Sequence, residues 1–275
     1  MKVLVTGDKG LIGRAVARRL TAEGDAVVGY DAADGRDVLD AAALARTAAG
    51  CDAIVHLAAL LGRPEDVPGD IMTVNVTGTW NVLAAAKAVG VGRVVNFSSV
   101  NALGIFSGNG APDYLPIDDA HPARPTTAYG ISKRLGEEMC RCFTLNTGIA
   151  TICIRPPWVT DAGRTEAELT RRAASPEAEW SPFWEYGAWV HVDDLAEAVF
   201  AALRCADPGH VTALVIADEV ASEHGAMSLA ARLLPGMPWR GAPLADARAA
   251  LVKSDVAREV FGWRPVRRWP LDEQA

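Results

Sequence analysis

Tyr129 and Lys133 stand four residues apart within residues 127–143, a segment whose apolar spacing predicts a helix. Side chains at this spacing share one helix face, so the two groups are expected to lie together. A free tyrosine has a pKa of about 10, and a neighbouring ammonium group lowers that pKa by favouring the phenolate. The pair can therefore take a proton from a substrate hydroxyl group. Ser99, which ends an apolar strand, can donate a hydrogen bond to the same oxygen.

The tyrosine–lysine spacing often arises by chance, so the elements around it have to support the interpretation. Near the amino terminus, residues 3–5 form a short β-branched run that predicts a buried strand. Gly7, Gly10 and Gly13 follow, and a helical pattern begins directly after them. Free N–H groups at such a helix start can hold a pyrophosphate, and glycine permits its close approach. An ordinary glycine-rich turn is the alternative for this motif alone.

Asp31 closes the next predicted strand, 18 residues beyond Gly13. In a dinucleotide-binding unit, a carboxylate here accepts hydrogen bonds from the adenosine ribose and repels a 2′-phosphate. We therefore expect NAD rather than NADP, although Arg14 and Arg36 are close in sequence. Without the glycine turn, Asp31 would equally fit a solvated acid at a strand end.

Apolar strands and helical patterns alternate through about residue 155, which predicts an α/β fold with helices on both faces of a parallel sheet. The expected architecture is a Rossmann-type doubly wound parallel sheet with a small C-terminal substrate lobe. Residues 1–157, with about 188–217, would form the NAD-binding domain. Residues 158–187 and 218–275 would form the lobe that closes over the substrate.

Several finer elements are also predicted. Residues 104–127 are rich in Gly, Pro and Asp and predict a loop over the site. Residues 211–217 predict a strand, and residues 245–262 predict a helix. The helix that follows residue 191 is expected to be capped by Asp193 or Asp194.

Residues 158–190 show few regular elements and many aromatic side chains. These could stack on a sugar or a base, or pack a small lobe; they are Trp158, Trp180, Trp184, Tyr186 and Trp189. Arg164, expected in a loop here, could pair with a substrate carboxylate or be solvated. His56 has no partner acid nearby in the sequence and is interpreted as a packed histidine rather than as a base.

The composition limits the partners. The chain has 275 residues, a net charge of -7 and a pI of about 5.3. An acidic chain without a basic stripe is not expected to bind nucleic acid. We expect no signal peptide and no membrane span, and the five cysteines show no metal-ligand spacing. These features predict a cytoplasmic protein with reduced thiols, a small-molecule substrate and no metal.

Several of these stretches occur in the order typical of one family. The sequence resembles the extended branch of the short-chain dehydrogenase/reductase superfamily, the NAD-dependent sugar epimerases and dehydratases. The matching stretches are Thr6-Gly7-Asp8-Lys9-Gly10-Leu11-Ile12-Gly13, His56-Leu57-Ala58-Ala59, Asn75-Val76-Thr77-Gly78-Thr79, Phe97-Ser98-Ser99, Tyr129-Gly130-Ile131-Ser132-Lys133 and Arg155-Pro156-Pro157. Weaker matches at residues 191–195 and 261–265 extend the resemblance to nearly the whole chain.

The resemblance implies a role for each matching position. Tyr129 would be the catalytic acid and base, Ser99 its partner, and Lys133 would bind the nicotinamide ribose and tune Tyr129. The implied NAD-binding residues are Gly7, Gly10, Leu11, Ile12, Gly13, Asp31, Asp37, Val38, Leu57, Ala58, Ala59, Tyr129, Lys133 and Pro156. The residues expected on the substrate side are Ser99, Val100, Asn101, Trp158 and Arg164.

Two departures from the family pattern bear on the reaction. Dehydratases of this family resemble one another in an Asp-Glu pair directly after the catalytic serine or threonine, where this chain has Val100 and Asn101. Dehydration is therefore not expected. Leu103 stands where the family usually has a tyrosine, which affects the substrate-side geometry rather than the hydride chemistry.

Three functions remain open. The leading interpretation is a nucleotide-sugar 4-epimerase, in which hydride leaves the substrate and returns to its other face. The alternative is an NAD-dependent sugar or uronate dehydrogenase, which the compact length of the chain favours. A non-catalytic NAD-binding sensor is the third, although such members tend to lack the tyrosine or the lysine. The resemblance also implies a homodimer through residues 75–89 and 127–143.

Overall fold

The computed structural model describes residues 1–175, 177, 182–242 and 244–270, with the side chains of 182–184 outside that description. The strands are β1 Lys2–Thr6, β2 Ala26–Tyr30, β3 Ala53–His56, β4 Arg93–Phe97, β5 Ala150–Arg155, β6 Trp158–Thr160, β7 Trp189–His191 and β8 His210–Leu214. The helices are α1 Leu11–Ala22, α2 Ala41–Ala48, α3 Pro68–Met72, α4 Gly78–Val89, α5 Ala128–Thr147, α6 Ala162–Ala174, α7 Val192–Arg204, α8 Gly225–Leu233 and α9 Asp255–Phe261.

Six strands form one parallel sheet in the order β2-β1-β3-β4-β5-β8. The predicted Rossmann-type α/β fold is therefore confirmed. β1 has β2 on one side and β3 on the other, so the direction in which strands are added reverses there. Open parallel sheets bind ligands at the carboxyl ends of the strands around such a reversal.

Helices cover both faces of the sheet because its strands are apolar on both sides. On one face, α1 and α7 bury Val16, Leu20, Leu195 and Val199 against the sheet. On the other face, α2, α4 and α5 bury a second set of side chains that includes Leu44. Full burial of each such side chain contributes about 1.5–3 kcal/mol, so the sheet edge that carries the site rests on a well-packed core.

The predicted loop at residues 104–127 lacks regular strands and α-helices, but its predicted place over the site is wrong. Within the described residues, none of this segment lines the cleft described below. Its apolar side chains, among them Leu115 and Ile117, pack instead with Leu229 of α8 in a second core. The Ile117 N–H donates to the Leu251 carbonyl at 2.8 Å, because backbone groups buried in a core need partners.

The helix predicted at residues 245–262 is confirmed only for its last part, Asp255–Phe261. Residues before it run alongside other segments, and the Lys253 N–H donates to the Ile117 carbonyl at 2.8 Å. Tertiary pairing therefore replaces the local helix that the apolar spacing indicates. The predicted strand at residues 211–217 is β8, which ends at Leu214.

The prediction of few regular elements in residues 158–190 is wrong for α6. Asp161 begins this helix, since its side chain accepts a hydrogen bond from the Arg164 N–H at 2.9 Å. Glu168 then pairs with Arg172 across one helical turn at 2.8 Å. Arg164 therefore lies in the first turn of a helix and not in a loop.

The cap predicted for α7 is also wrong. His191 precedes this helix, and its Nδ1 accepts the Asp193 N–H at 3.2 Å. Asp194 is buried and accepts the N–H groups of Val266 and Arg267 at 3.1 and 2.9 Å. Asp193 and Asp194 lie two and three positions beyond the capping residue, inside the first turn of the helix.

The cysteines are free thiols, and Cys140 is buried whereas Cys142 on the same helix is exposed. Among the helices of described residues, none is long and apolar enough to cross a bilayer. The same residues contain no group of three or more side chains placed to bind a metal ion.

Candidate active site

A cleft of about 1000 Å³ runs along the carboxyl ends of the strands from β2 to β5. It brings together almost all of the residues predicted to form the site. Those that line it are Gly7, Gly10, Leu11, Ile12, Gly13, Asp31, Asp37, Val38, Leu57, Ala58, Ala59, Ser99, Asn101, Tyr129, Lys133, Pro156, Trp158 and Arg164.

Val100 is the exception, and its predicted place on the substrate side is wrong. Its side chain is fully buried in the second core. Ser99 starts a tight turn over Val100–Leu103, and the Ser99 Oγ accepts the Asn101 N–H at 3.1 Å. That turn directs Val100 into the core and leaves Asn101 at the cleft.

The turn between β1 and α1 has the shape that a pyrophosphate site requires. Gly7 has a φ of +74°, and a Cβ there would lie 2.8 Å from the Ala58 nitrogen. A Cβ on Gly13 would lie 2.2 Å from the Gly7 carbonyl oxygen. Gly10 precedes α1 and offers no side chain to cap it, so the helix N–H groups face the cleft unblocked. These features fit a dinucleotide phosphate at the helix start.

Asp31 is held in place at the next strand end. Its Oδ2 accepts the Lys9 N–H at 3.0 Å and its Oδ1 accepts the Ala33 N–H at 2.9 Å. The Lys9 ammonium pairs with Asp34 at 3.2 Å, which ties the glycine-rich turn to the segment after β2. Arg36 also lines the cleft, and its guanidinium donates to a main-chain carbonyl of β2. This end presents an oriented carboxylate to a ribose.

His56 is structural, as the sequence indicates. Its ring contacts the Thr6 hydroxyl at 2.7 Å and the Thr79 hydroxyl at 3.2 Å inside the protein. Burial lowers the pKa of His56 to about 3, so the ring stays neutral. The Thr6 hydroxyl also accepts the Leu57 and Ala58 N–H groups at 3.2 and 3.3 Å. The ring therefore helps to place the cleft wall after β3.

Ser99, Tyr129 and Lys133 meet at the carboxyl end of β4. The Ser99 and Tyr129 side chains both line this part of the cleft, and Ser99 acts to lower the pKa of the Tyr129 phenol. The Lys133 ammonium lies 5.6 Å from the centre of the Tyr129 ring and donates to the Phe97 carbonyl at 2.8 Å. A proton donor and acceptor is therefore held beside a hydroxyl and a cation in the same cleft that carries the glycine-rich turn.

The pKa of Tyr129 differs from the sequence prediction. Burial raises it to about 12, against the hydrogen bond from Ser99, and the charge of Glu185 raises it further. Burial also lowers the pKa of Lys133 to about 8. Lys133 does not contribute the expected lowering: its ammonium is directed at the Phe97 carbonyl, and desolvation of the phenolate is the largest effect.

A buried ionic network around Glu137 holds the elements that carry these residues together. The Glu137 carboxylate accepts the Ser98 hydroxyl at 2.6 Å and two Arg155 N–H groups at 2.7 and 2.8 Å. Burial alone would raise the pKa of Glu137, but the hydrogen bonds from Arg155 and Ser98 bring it below its ordinary value. The network joins α5 to the ends of β4 and β5, from which Tyr129 and Ser99 are presented.

The far end of the cleft holds charged residues from distant segments. Arg164 from α6 is exposed there, and no ion pair of its guanidinium is found in the described part of the chain. Glu185 and Arg63 also line the cleft and were missed by sequence reasoning. No spacing rule or motif marks either residue, because each is brought to the cleft by packing alone.

The aromatic residues of this region divide into two groups. Trp189 is fully buried, donates its ring N–H to the Glu219 carbonyl at 2.8 Å, and serves packing. Trp158 lines the cleft while its other edge contacts Trp269 with ring centres 6.0 Å apart. The predicted roles of Trp180 and of the Trp184 side chain fall outside the described residues.

The fold and this cleft define a dinucleotide-dependent oxidoreductase. The sequence of residues 3–217 matches the model of the NAD dependent epimerase/dehydratase family. The chain belongs to that family, which confirms the resemblance seen in the sequence, and NAD is its cofactor.

Two curated relatives and one solved structure show what the chain is similar to. It is 30% identical to a uronate dehydrogenase of Pseudomonas syringae pv. tomato over 66% of this chain and 58% of that protein. It is 29% identical to a UDP-glucose 4-epimerase of Mycolicibacterium smegmatis over 96% of this chain and 94% of that protein. A short-chain dehydrogenase/reductase superfamily protein from Agrobacterium tumefaciens with bound NAD matches with a TM-score of 0.72 and 23% identity, over 98% and 93% of the two chains.

Proposed function

We propose that this protein is a nucleotide-sugar 4-epimerase. The observation that carries the proposal is the meeting of Ser99, Tyr129 and Lys133 in the same cleft as the glycine-rich turn. The similarity to a UDP-glucose 4-epimerase over nearly the full length of both chains supports it. The overlap with the uronate dehydrogenase covers a smaller part of that relative.

The side chains perform the proton transfers of such a reaction. NAD, when bound, accepts a hydride from the substrate and gives it back. The Ser99 and Tyr129 hydroxyl groups hold the substrate oxygen at the reacting carbon. The Tyr129 phenolate takes the proton of that hydroxyl during oxidation, and the phenol returns it when the ketone is reduced from the other face.

Ionisation of Tyr129 is the demanding part of this cycle. Its pKa of about 12 in the protein alone leaves little phenolate at neutral pH. Bringing this pKa to about 7 would need a fall of about five units, which corresponds to roughly 7 kcal/mol of differential stabilisation. Lys133 and the positive charge of oxidised NAD would supply it together, since both favour the phenolate.

A uronate dehydrogenase is the second candidate, and Arg164 favours it. The exposed guanidinium at the substrate end could pair with a sugar carboxylate through two parallel hydrogen bonds. In that reaction the hydride does not return and NADH leaves the protein. A non-catalytic sensor is the third, and it would not need the proton-transfer group of Tyr129.

Reduced-nicotinamide absorbance distinguishes the three functions. The protein is given NAD with UDP-glucose or UDP-galactose, and separately with glucuronate or galacturonate. An epimerase interconverts the nucleotide sugars without accumulating NADH, whereas a dehydrogenase forms NADH in proportion to the uronate. Tight NAD binding with no conversion of either panel would refute both enzymes and leave the sensor. Tyr129→Phe protein, which keeps the NAD site, is the control for catalysis.

We also propose that residues 158–187 and 218–275 act as the substrate-binding lobe. Support comes from Trp158, Arg164 and Glu185, which line the substrate end of the cleft. The main body would then consist of residues 1–157 and about 188–217, which carry the glycine-rich turn and Ser99.

A homodimer through α4 and α5 is proposed on the basis of exposed apolar side chains. Trp80 on α4 is 58% exposed and Leu135 on α5 is 40% exposed, and the two helices contact each other. Exposed tryptophan is unusual on a monomer surface and frequent at the centre of interfaces. A second copy related by a two-fold axis would cover both side chains at once.

We propose a cytoplasmic location because the cysteines are free thiols. Cys51, Cys140, Cys142, Cys153 and Cys205 are free, as a reducing compartment maintains them. The net charge of -7 argues against nucleic acid as a partner. The proposed partner is instead the substrate, a small sugar or nucleotide sugar.

A further inference from the structure

Glu185 lies at the substrate end of the cleft and is part of no predicted motif. It belongs to a short helical turn, Pro182–Gly187, and lines the cleft with Tyr129 and Trp158. Its Oε2 accepts the Trp158 N–H. Within the described residues, its Oε1 has no hydrogen-bond partner, and no ion pair joins Glu185 to another described residue.

The carboxyl group is held in this position by its surroundings. Glu185 and Tyr186 have backbone φ angles of +53° and +56°, which residues other than glycine rarely adopt. The Tyr186 hydroxyl donates to the Ile105 carbonyl at 2.9 Å, and the Ala221 N–H donates to the Gly187 carbonyl at 2.9 Å. Backbone strain of this kind persists only where the surrounding packing enforces it, and strained residues cluster at ligand-binding sites.

A second acceptor at the same end also lacks a donor. The Asn101 Oδ1 is buried without a hydrogen-bond partner in the described part of the chain, although Asn101 lines the cleft. Buried acceptors are costly unless a donor reaches them. Burial raises the pKa of Glu185 to about 7, against the hydrogen bond from Trp158, which is the behaviour of a carboxyl group short of donors. The cleft therefore offers two acceptors without a donor from the described residues, the buried Asn101 Oδ1 and the partly exposed Glu185 Oε1, and these suit a ligand rich in hydroxyl donors.

We infer that Glu185 is a substrate-binding residue that accepts a hydrogen bond from a hydroxyl group of the sugar ring, with Asn101 as a second acceptor. The inference rests on the proposed function and names the substrate chemistry of that site, which is a neutral, polyhydroxylated ring. A sugar carboxylate at this position would face the Glu185 carboxylate and be repelled. An acidic sugar would therefore have to direct its carboxylate towards Arg164.

The test measures binding separately from turnover. Glu185→Gly removes the carboxyl group and suits the positive φ, so the variant is expected to fold. Glu185→Gln keeps an acceptor oxygen of the same shape. Each change is made in Tyr129→Phe protein loaded with NAD, and calorimetry gives the affinity for UDP-glucose, for its monodeoxy analogues and for galacturonate. Glu166→Gln, on the exposed surface of α6, is the matched control.

We expect Glu185→Gly to weaken UDP-glucose binding by about tenfold or more, Glu185→Gln to retain most of the affinity, and NAD affinity to stay unchanged. One monodeoxy analogue, which lacks the hydroxyl group that Glu185 binds, should bind the parent protein as weakly as UDP-glucose binds the Glu185→Gly variant. The affinity for that analogue should not fall further in the Glu185→Gly variant. Unchanged affinity in Glu185→Gly, or no binding of any sugar to the parent, would overturn the inference.

Turnover of the wild-type protein reports on the proposed function independently. If the wild-type protein epimerises the nucleotide sugars while Glu185→Gly leaves the sugar affinity unchanged, the role of Glu185 is refuted and the epimerase function stands. Loss of sugar affinity in Glu185→Gly, in a protein that converts neither panel, would refute the epimerase and keep the role of Glu185.

Discussion

Replacement of Glu137 by glutamine should be strongly destabilising. The Glu137 side chain is 1% exposed and accepts hydrogen bonds from Ser98, Arg155 and Arg134 at 2.6 to 3.0 Å. Glutamine keeps the volume but cannot neutralise the Arg155 guanidinium, which is 5% exposed. Breaking one partner of a buried ion pair costs about 3–5 kcal/mol, a large part of the roughly 5–15 kcal/mol that stabilises a typical domain.

Urea unfolding monitored by tryptophan fluorescence measures this loss. Glu138→Gln is the matched control, because its pair with Arg141 is about half exposed and should contribute only about 0–1 kcal/mol. The double variant Glu137→Met, Arg155→Met should be more stable than Glu137→Gln, since it leaves no buried charge unpaired. A decrease of less than about 1 kcal/mol in the free energy of unfolding for Glu137→Gln would refute the reasoning, because removing one partner of a buried ion pair should cost several times more.

The same network makes a prediction about acid. The pKa of Glu137 lies below its ordinary value of 4.5 because Arg155 and Ser98 stabilise the carboxylate against its burial. A lowered pKa contributes stability that is fully present above pH 4.5 and is lost as the pH falls through the folded-state pKa. Glu137→Gln should therefore flatten the fall of the free energy of unfolding below pH 4.5, whereas Glu138→Gln should leave the contribution of Glu137 in place.

Three further outcomes are expected. Tyr129→Phe should reduce turnover by about 10²- to 10⁴-fold while NAD affinity, measured by calorimetry, stays the same; equal losses in both would assign Tyr129 to cofactor binding. Asp31→Asn should weaken NAD about tenfold to a hundredfold through the loss of charged hydrogen bonds, and NADP affinity should not fall in parallel. Trp80→Lys should shift the protein towards monomer in light scattering, and Met227→Lys, an equally drastic change on α8, should not. A dimer that survives Trp80→Lys would refute the proposed interface.

The cofactor half of the site could be predicted because it depends on local spacing and on one rule of topology. Gly7 and Asp31 directly follow β1 and β2, Gly10 and Gly13 lie at the start of α1, and the carboxyl ends of parallel strands meet at one edge of the sheet. Once the strands are recognised, these residues have to lie near one another. No long-range packing information is needed for that step.

The electrostatics of Tyr129 could not be predicted in the same way. Spacing correctly places Lys133 beside it, and the known effect of a cation lowers the pKa of a phenol. Burial acts in the opposite direction, and it depends on side chains from several segments that a four-residue pattern does not reveal. Val100 shows the same limit on a smaller scale, since one tight turn directs it into the core and its neighbour Asn101 into the cleft.

The substrate end depends most on packing, and for that reason it carries the information about specificity. Arg164 reaches the cleft because Asp161 starts a helix there, and Glu185 reaches it because Tyr186 is anchored to a distant loop. The two side chains have opposite charges when Glu185 is ionised, and both line the same end. A neutral ring can donate hydroxyl groups to Glu185 without using Arg164, whereas a uronate must pair with Arg164 and keep its carboxylate away from Glu185. Since the two functions of the family make different demands on these residues, the relative effects of Arg164→Met and Glu185→Gly on nucleotide-sugar and uronate affinity should separate an epimerase site from a dehydrogenase site.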